Sequence, residues 1–217
     1  MARLINGING PFVGRVGSII GYTVNGEGFI KGLYKKRTKK PTEGEVLNRK
    51  KFAAAQAWLQ PVTDFVRVGF KGYNERFQGF VAAKSWLMKN CMKVVDGEIQ
   101  IDPALVKISS GNLHLPENIQ CTLQEPNTFH FSWTPVDERD PHRYDQAMVM
   151  AYRMGFGPYG DLYGSDRATG EAFVPVHAST TPYHVYLAFV ATDRSRQSDS
   201  VYLGEFWVND PDKDMKE

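Results

Sequence analysis

Few residues of this sequence have the types and spacings that could support catalysis or metal binding. Histidine occurs at five positions: His114, His130, His142, His177 and His184. None of these stands in the HExxH pattern or in an i, i+4 pair, which are spacings that suit zinc on a helix. Cys91 and Cys121 form no CxxC pair, no base stands beside either of them, and no Gly-x-Ser-x-Gly motif is present. The sequence therefore predicts a non-enzymatic protein without catalytic residues, a metal site or a cofactor.

Two acidic loops are the remaining candidates for metal binding. Calcium needs several converging oxygen atoms, with a glycine at the turn of the loop. Residues 137–142 lack a glycine and contain Arg139, whereas Asp161 and Asp166 lie in a glycine-rich loop at 155–170. Because aromatic side chains among glycines suit a contact surface, we interpret the second loop as a partner-binding loop, with a plain surface loop as the alternative. Its predicted binding residues are Phe156, Tyr159 and Tyr163.

Charged residues are distributed unevenly along the 217 residues of the chain. The net charge is +2, but residues 1–90 carry 16 Lys or Arg and 5 Asp or Glu, whereas residues 91–217 carry 10 and 19. The two parts therefore have net charges of +11 and −9. Opposite charges of this size attract each other within one monomer or between neighbouring copies, head to tail. Solvation of both surfaces is the simpler alternative.

The most distinctive stretch is residues 10–42, which begins rich in glycine and ends in a basic run. Strands are predicted at 16–24 and 28–34, joined by Asn25-Gly26, a pair that suits a tight β-hairpin turn. Glycines in strands mark places where another backbone comes close, and no Gly-Lys-Ser or Gly-Lys-Thr follows, so this is not a phosphate-binding loop. The basic run must be solvated or neutralised by a partner. The predicted assembly or partner-binding residues here are Phe12, Val16, Ile19, Ile20, Tyr22, Phe29, Lys35, Lys36, Arg37, Lys39 and Lys40.

Helices are predicted after the basic run. Thr42 and Glu45 have capping-box spacing, which places a first helix at 42–60, and a second helix is predicted at 74–89 after a short helical turn in 61–71. The two helices fit an antiparallel αα-hairpin. The predicted buried faces are Val46, Leu47, Ala54, Ala57 and Trp58 on the first helix, and Phe77, Phe80, Val81, Leu87 and Met88 on the second.

From Cys91 onward the pattern indicates strands. A second tight hairpin is predicted at 92–101 around Asp96-Gly97, followed by a short strand at 106–108. Six further strands are predicted at 119–124, 128–133, 147–153, 172–176, 184–192 and 200–208. Short strands at this spacing are typical of an immunoglobulin-like or fibronectin type III-like β-sandwich. The expected fold class is α+β: an N-terminal β-hairpin and an αα-hairpin, followed by an antiparallel β-sandwich.

The order of these features resembles an uncharacterised bacterial family, abundant in Bacteroidota and known only as a domain of unknown function. The resemblance rests on the glycine-rich hairpin, the Lys39-Lys40-Pro41-Thr42-Glu43 segment, and the stretches 68–71, 106–113 and 200–204. It covers nearly the whole chain and implies no catalytic residue. It supports a division into an N-terminal part and a fibronectin-like C-terminal part. The predicted boundaries are 1–90, a connecting hairpin and strand at 91–110, and a β-sandwich with a short acidic tail at 111–217.

Two functions of different classes fit these features. The first is a structural protein that assembles with copies of itself into a filament, virion or similar particle, through the glycine-rich region and head-to-tail charge complementarity. The alternative is a nucleic-acid-binding accessory protein that uses the basic region from Lys31 to Lys51. The sequence shows neither a signal peptide nor an apolar run of membrane-spanning length. We therefore expect no membrane span, and a cytoplasmic location or a place in an assembled particle.

Overall fold

A computed structural model describes residues 3–4, 7, 10–24, 26–36, 38–74 and 77–208. The protein is α+β, with antiparallel sheets and, in these residues, three α-helices, which confirms the expected class. The chain divides into two compact units, Met1–Glu43 and Gly44–Glu217. In the described part of the chain, no helix is long and apolar enough to cross a lipid bilayer.

The first unit is a four-stranded antiparallel sheet with the order β1-β2-β3-β4. Its strands are β1 (Arg3–Leu4), β2 (Phe12–Val16), β3 (Ile19–Val24) and β4 (Glu27–Gly32). Val24 pairs with Glu27, which confirms the predicted two-residue hairpin turn; Asn25 itself lies outside the described residues. The predicted strand at 16–24 is interrupted after Val16 by a second tight turn, where Gly17 has a φ of +58°.

The helices of the second unit are α1 (Glu43–Leu59), α2 (Thr63–Gly69) and α3 (Gly79–Asn90). α1 matches its predicted range, and α2 lies within the predicted helical turn. α3 begins five residues later than predicted at residue 74, because Gly79 has a φ of +54°, which a preceding helical turn cannot accommodate. The Gly79 N–H instead donates to the carbonyl oxygen of Phe70 at 3.0 Å.

The buried faces of α1 and α3 differ in part from the predicted ones. α1 buries Ala55, Trp58 and Leu59, and α3 buries Gly79, Ala82, Ala83 and Leu87. Several predicted members are exposed instead: Val46, Ala57, Phe77 and Val81. On α3 the buried face consists mostly of small residues, which permit close packing, whereas the prediction favoured large apolar side chains there.

A two-stranded hairpin follows α3, made of β5 (Met92–Val95) and β6 (Glu98–Ile101). Asp96 and Gly97 have φ values of +50° and +79°, the left-handed conformations that a tight turn requires, so the predicted hairpin is confirmed. The predicted strand at 106–108 is wrong. Its residues form no ladder with another strand, and the Ile108 N–H donates to the hydroxyl oxygen of Ser200 at 3.0 Å instead.

Seven strands form the two remaining sheets. They are β7 (Gln120–Gln124), β8 (Thr128–Ser132), β9 (Gln146–Arg153), β10 (Gly157–Asp161), β11 (Glu171–Pro175), β12 (Tyr183–Val190) and β13 (Val201–Phe206). Their orders are β11-β8-β7 and β10-β9-β12-β13. All six predicted strands are present. β10 was missed because its glycines suggested a loop; Gly160 has a φ of +140°, and a Cβ there would lie 2.0 Å from the carbonyl oxygen of Val149.

The four-stranded sheet of the second unit is covered on both faces, which explains why every residue of its strand β12 is buried. On one face, alternate residues of β9 and β12 pack with Phe129 and Phe131 of the three-stranded sheet. On the other face, Met148, Met150 and Tyr186 pack with the three helices. The second unit therefore has three layers: helices, a four-stranded sheet and a three-stranded sheet.

The helices thus belong to the same unit as the sheets that follow them, whereas the predicted boundary at residue 90 grouped them with the N-terminal hairpin. The physical reason lies in β9 and β12. Both strands carry mainly apolar side chains on both faces. The face that points away from the three-stranded sheet therefore also has to be shielded from water.

Candidate functional site

The N-terminal sheet exposes much of its apolar surface. Among the residues of 3–43 whose burial the structure describes, Gly21 alone is buried. Its exposed apolar side chains are Val16, Ile19, Tyr22, Val24, Phe29 and Ile30. Small sheets of this kind need an apolar face that is covered by something else to be stable in water. This sheet is therefore a candidate surface for a partner.

One side of β3 and β4 forms what we name the aromatic face: Ile20, Tyr22, Val24 and Phe29, with Glu27 and Lys31. Tyr22 and Phe29 stand directly opposite each other in the ladder, and their rings stack with centroids 5.7 Å apart and an interplanar angle of 24°. The Nζ of Lys31 lies 5.0 Å from the centroid of the Tyr22 ring, within cation–π range. Four of the six residues carry large apolar groups, so the face suits burial against another sheet.

The opposite side of the hairpin is covered in part by the chain itself. A Cβ on Gly21 would lie 2.2 Å from the carbonyl oxygen of Phe12, and a Cβ on Gly28 would lie 2.4 Å from the Cβ of Pro11. Pro11 and Phe12 therefore pack directly on these two glycines. The prediction that the glycines permit close backbone approach holds at Gly21, where the approaching backbone is the chain's own, whereas Gly28 makes room for the side chain of Pro11.

β4 is an end strand of this sheet, and in the described residues no strand pairs with its outer edge. Val24 pairs with Glu27, and the Leu33 N–H donates to the Ser18 carbonyl oxygen at 3.0 Å, so alternate residues of β4 bond inward to β3. The backbone N–H and C=O groups of Gly28, Ile30 and Gly32 consequently point outward. Ile30 is also 65% exposed. This edge is open to another strand.

The basic run follows the sheet without regular secondary structure. Four of its predicted residues, Lys35, Lys36, Lys39 and Lys40, are exposed, and Arg37 lies outside the described residues. Tyr34 stands immediately before them and is 86% exposed, the highest value among the large apolar side chains of the described chain. The described residues of the run therefore form an exposed cationic segment with an aromatic ring immediately before it.

The structure does not bring the three aromatic residues predicted in the 155–170 loop together. Phe156 lies in the turn between β9 and β10, with the Arg153 guanidinium 3.7 Å from its ring centroid. Tyr159 lies inside β10 and packs against Tyr183, with ring centroids 5.9 Å apart. Tyr163 lies beyond the opposite end of β10, where Arg194 stacks on it at 3.7 Å.

The cysteine thiols lie in environments that disfavour the reactive thiolate. Burial, with a smaller contribution from Asp102, raises the pKa of Cys91 to about 11, and burial raises the pKa of Cys121 to about 12. Since the thiolate is the nucleophile, both side chains behave as small apolar groups near neutral pH. In the part of the chain that the structure describes, no cluster of three or more His, Cys, Asp or Glu could hold a metal ion.

Two surface residues were missed by the sequence prediction: Val24 and Ile30. The signal for both was present, because side chains alternate between the faces of a strand and the Asn25-Gly26 turn determines the register. Counting outward from that turn places Val24 on the same face as Tyr22 and Phe29, and Ile30 on the other.

Similarity to known proteins is limited to a family model. No curated protein and no solved structure matches the chain significantly. The family model matches residues 11–204, from the residue before β2 into β13. It therefore spans β2, β3 and β4 of the N-terminal sheet, the helices and strands from all three sheets of the second unit. The chain therefore belongs to a family of unknown function (DUF6266).

Proposed function

We propose that this protein is a non-enzymatic structural subunit that assembles with copies of itself through the N-terminal sheet. The observation that carries the proposal is a four-stranded sheet that, in the residues whose burial the structure describes, has an exposed aromatic face, an open edge and no buried residue other than Gly21. Adding a strand from a second copy would satisfy the outward backbone groups of β4 and extend the aromatic face.

The second unit would serve as the rigid body of the subunit, and we propose that its seven strands form a fibronectin type III-like β-sandwich. Two features support this: strand orders β11-β8-β7 and β10-β9-β12-β13, and a common core built from the inner faces of both sheets. β-Sandwiches of this architecture occur in many extracellular and cell-surface proteins. The similarity is one of fold and carries no argument about function.

A second copy is the favoured occupant of the open edge because β4 is complementary to itself. In an antiparallel β4–β4 pair, the outward-bonding residues must face each other. Pairing Gly28 with Ile30 of the second copy meets this requirement. The same register places Phe29 of one copy opposite Phe29 of the other. At each end of the pair, it places Glu27 of one copy opposite Lys31 of the other. Both sets lie on the aromatic face, so one two-fold contact joins an aromatic pair with two opposite-charge pairs.

Extension beyond such a pair requires a second contact, and the charge distribution supplies one. Residues 1–43 carry eight Lys or Arg and two Asp or Glu, a net charge of +6, whereas residues 44–217 have a net charge of −4. A basic unit of one copy would therefore attract the acidic unit of another, which favours a filament, virion or similar particle over a closed pair.

Reversing the charges of β4 tests this proposal. Glu27→Lys or Lys31→Glu alone places like charges opposite each other at both ends of the pair, and we expect each to weaken self-association about tenfold at low salt. The double variant restores both opposite-charge pairs and is expected to recover most of the loss. Size-exclusion chromatography with light scattering, across protein concentration and salt, measures the association. The two single variants change the net charge of residues 1–43 in opposite directions, and the double variant leaves that charge unchanged. The double variant therefore serves as the control for net charge.

The outcomes separate the two parts of the proposal. A wild-type protein that remains monomeric at every concentration and salt would contradict self-association itself. A wild-type protein that associates, but whose double variant behaves like the single variants, would leave self-association in place and contradict the β4 register.

Nucleic-acid binding is a second candidate, favoured by the exposure of Tyr34 beside Lys35 and Lys36. An aromatic ring on which a base can stack, next to an unstructured cationic segment, is the combination used by sequence-independent single-strand binders. Changing Lys35, Lys36, Lys39 and Lys40 to Ala is expected to lower the slope of log affinity against log salt by up to about 3. Fluorescence anisotropy with a labelled single-stranded oligonucleotide measures this slope, and an unchanged slope would remove the candidate.

A further inference from the structure

A polar cleft opens in the second unit where three connecting segments meet. It has a volume of about 390 Å³. Its walls are the turn between α2 and α3, the segment after Ile108, and the loop between β12 and β13. Its lining includes Lys71, Tyr73, Asn112, Arg196 and Gln197. This volume falls within the range of small-molecule sites in proteins.

The walls of the cleft are held together by backbone contacts. Gln197 is buried, and its amide nitrogen donates to the carbonyl oxygens of Lys71 at 2.8 Å and Ser110 at 3.0 Å. A Cβ on Gly111 would lie 2.1 Å from the carbonyl oxygen of Gln197, so this residue must be glycine for the segments to approach. The cleft is therefore formed before any ligand arrives, which lowers the ordering cost of binding.

The β12–β13 loop is held in place in the same way. The Ala191 N–H donates to the Arg196 carbonyl oxygen at 2.9 Å, which closes the loop. Asp193 accepts hydrogen bonds from both the N–H and the hydroxyl of Ser195, at 2.9 and 2.6 Å. Those hydrogen bonds hold the pKa of Asp193 below its ordinary value, so the loop carries a carboxylate that is already engaged. Arg196 is thus presented on a constrained backbone.

The charge of the described lining is positive. Lys71 and Arg196 contribute two cations, and no acidic side chain is among the described residues that line the cleft. The nearby carboxylate of Asp199 is engaged elsewhere, by Lys107 Nζ at 2.7 Å, the Ser110 hydroxyl at 3.0 Å and the Gly111 N–H at 3.1 Å. Burial acts to raise the pKa of Asp199, but these hydrogen bonds outweigh it and the pKa stays below its ordinary value.

Several donors in the cleft have no partner within the described chain. The Arg196 guanidinium, the Asn112 amide and the Tyr73 hydroxyl make no hydrogen bond or ion pair there, and Lys71 Nζ donates to the Arg194 carbonyl oxygen alone, at 2.8 Å. A guanidinium forms paired, charge-assisted hydrogen bonds with carboxylate and phosphate groups, and an ammonium adds a point charge. This set of donors is suited to an oxyanion.

We propose that this cleft binds a small organic oxyanion, a carboxylate or a phosphate, with Arg196 and Lys71 as its charged contacts and Asn112 and Tyr73 as its neutral donors. Two of the stretches by which the sequence resembles the bacterial family, 68–71 and 106–113, supply residues to the cleft walls. The site lies wholly in the second unit and is independent of the N-terminal sheet.

Isothermal titration at constant ionic strength tests the site, with inorganic phosphate and succinate as the two probes. We expect saturable binding of at least one probe, weakened about tenfold by Arg196→Gln and about as much by Lys71→Gln, because each removes a charge-assisted contact. Arg139→Gln removes an exposed cation from another loop and is expected to leave binding unchanged. The preferred probe identifies the group. Absence of saturable binding to both probes, or equal weakening by Arg139→Gln, would overturn the proposal.

Discussion

Replacing Trp58 with alanine is expected to lower the free energy of unfolding of the second unit by about 3–5 kcal/mol. Trp58 belongs to α1, is 2% exposed, and packs on the four-stranded sheet of the second unit. Its ring centroid is 4.9 Å from that of Tyr152 in β9 and 6.5 Å from that of Tyr186 in β12, both in edge-on geometry. Truncation removes these contacts and leaves a cavity that backbone elements on both sides prevent from closing.

This expected loss of stability follows from the three-layer arrangement, because helices and a sheet that pack on each other are expected to unfold together. Urea unfolding followed by far-ultraviolet circular dichroism measures it without depending on tryptophan fluorescence. Phe52→Ala on the same helix is the control: Phe52 is 53% exposed, and its ring contacts Lys84 Nζ at 3.9 Å. Its expected loss is about 1 kcal/mol or less. Equal losses for the two variants would contradict the packing of α1 on the sheet.

Replacing Gly69 with alanine is expected to cost about 2–3 kcal/mol, although alanine is the better helix residue. A Cβ on Gly69 would lie 2.1 Å from the carbonyl oxygen of Ile108 and 2.7 Å from the Cα of Ser109. Both are backbone atoms, so no side-chain rotation relieves the overlap. The Ser110 N–H donates to the Gly69 carbonyl oxygen at 2.8 Å, and Ser109, which is buried, donates its hydroxyl to the Ser198 carbonyl oxygen at 2.6 Å.

Gly44→Ala is the matched control for that substitution. Gly44 lies in α1, and a Cβ there meets nothing within 4 Å. Its replacement is expected to raise the free energy of unfolding by up to about 1 kcal/mol through helix propensity. Thermal unfolding of the two variants therefore gives shifts of opposite sign. A Gly69→Ala protein as stable as wild type would show that the 108–110 segment can move away from α2 at little cost.

Local sequence features predicted the hairpins and most strands correctly. Asn25-Gly26 and Asp96-Gly97 mark their turns because only a few residue types tolerate positive φ there. The six strands found in the second unit were visible as alternating or β-branched runs. β10 was not, because its glycines suggested a loop, whereas Gly160 lies in a strand for a reason found in the neighbouring strand, the close approach of the Val149 backbone.

The candidate sites were predicted less completely than the strands. The apolar residues of the N-terminal hairpin were identified from the sequence, since a two-residue turn determines which side chains share a face. The cleft was not, because Lys71, Asn112 and Arg196 lie far apart in the chain and none stands in a motif with chemical meaning. The aromatic loop residues were identified as a group but are separated in space, because residues 157–161 form a strand that carries Phe156 and Tyr163 to opposite ends.

The α+β class, the two tight turns, the positions of most strands and the uneven distribution of charge can be read from the chain alone, because they depend on neighbouring residues or on simple counting. Three features emerge only in the folded protein: the helices cover a sheet of the second unit, the N-terminal sheet has an exposed face and an open edge in its described residues, and three distant segments enclose a cationic cleft. Each of these depends on burial or close backbone approach, and therefore on which parts of the chain meet.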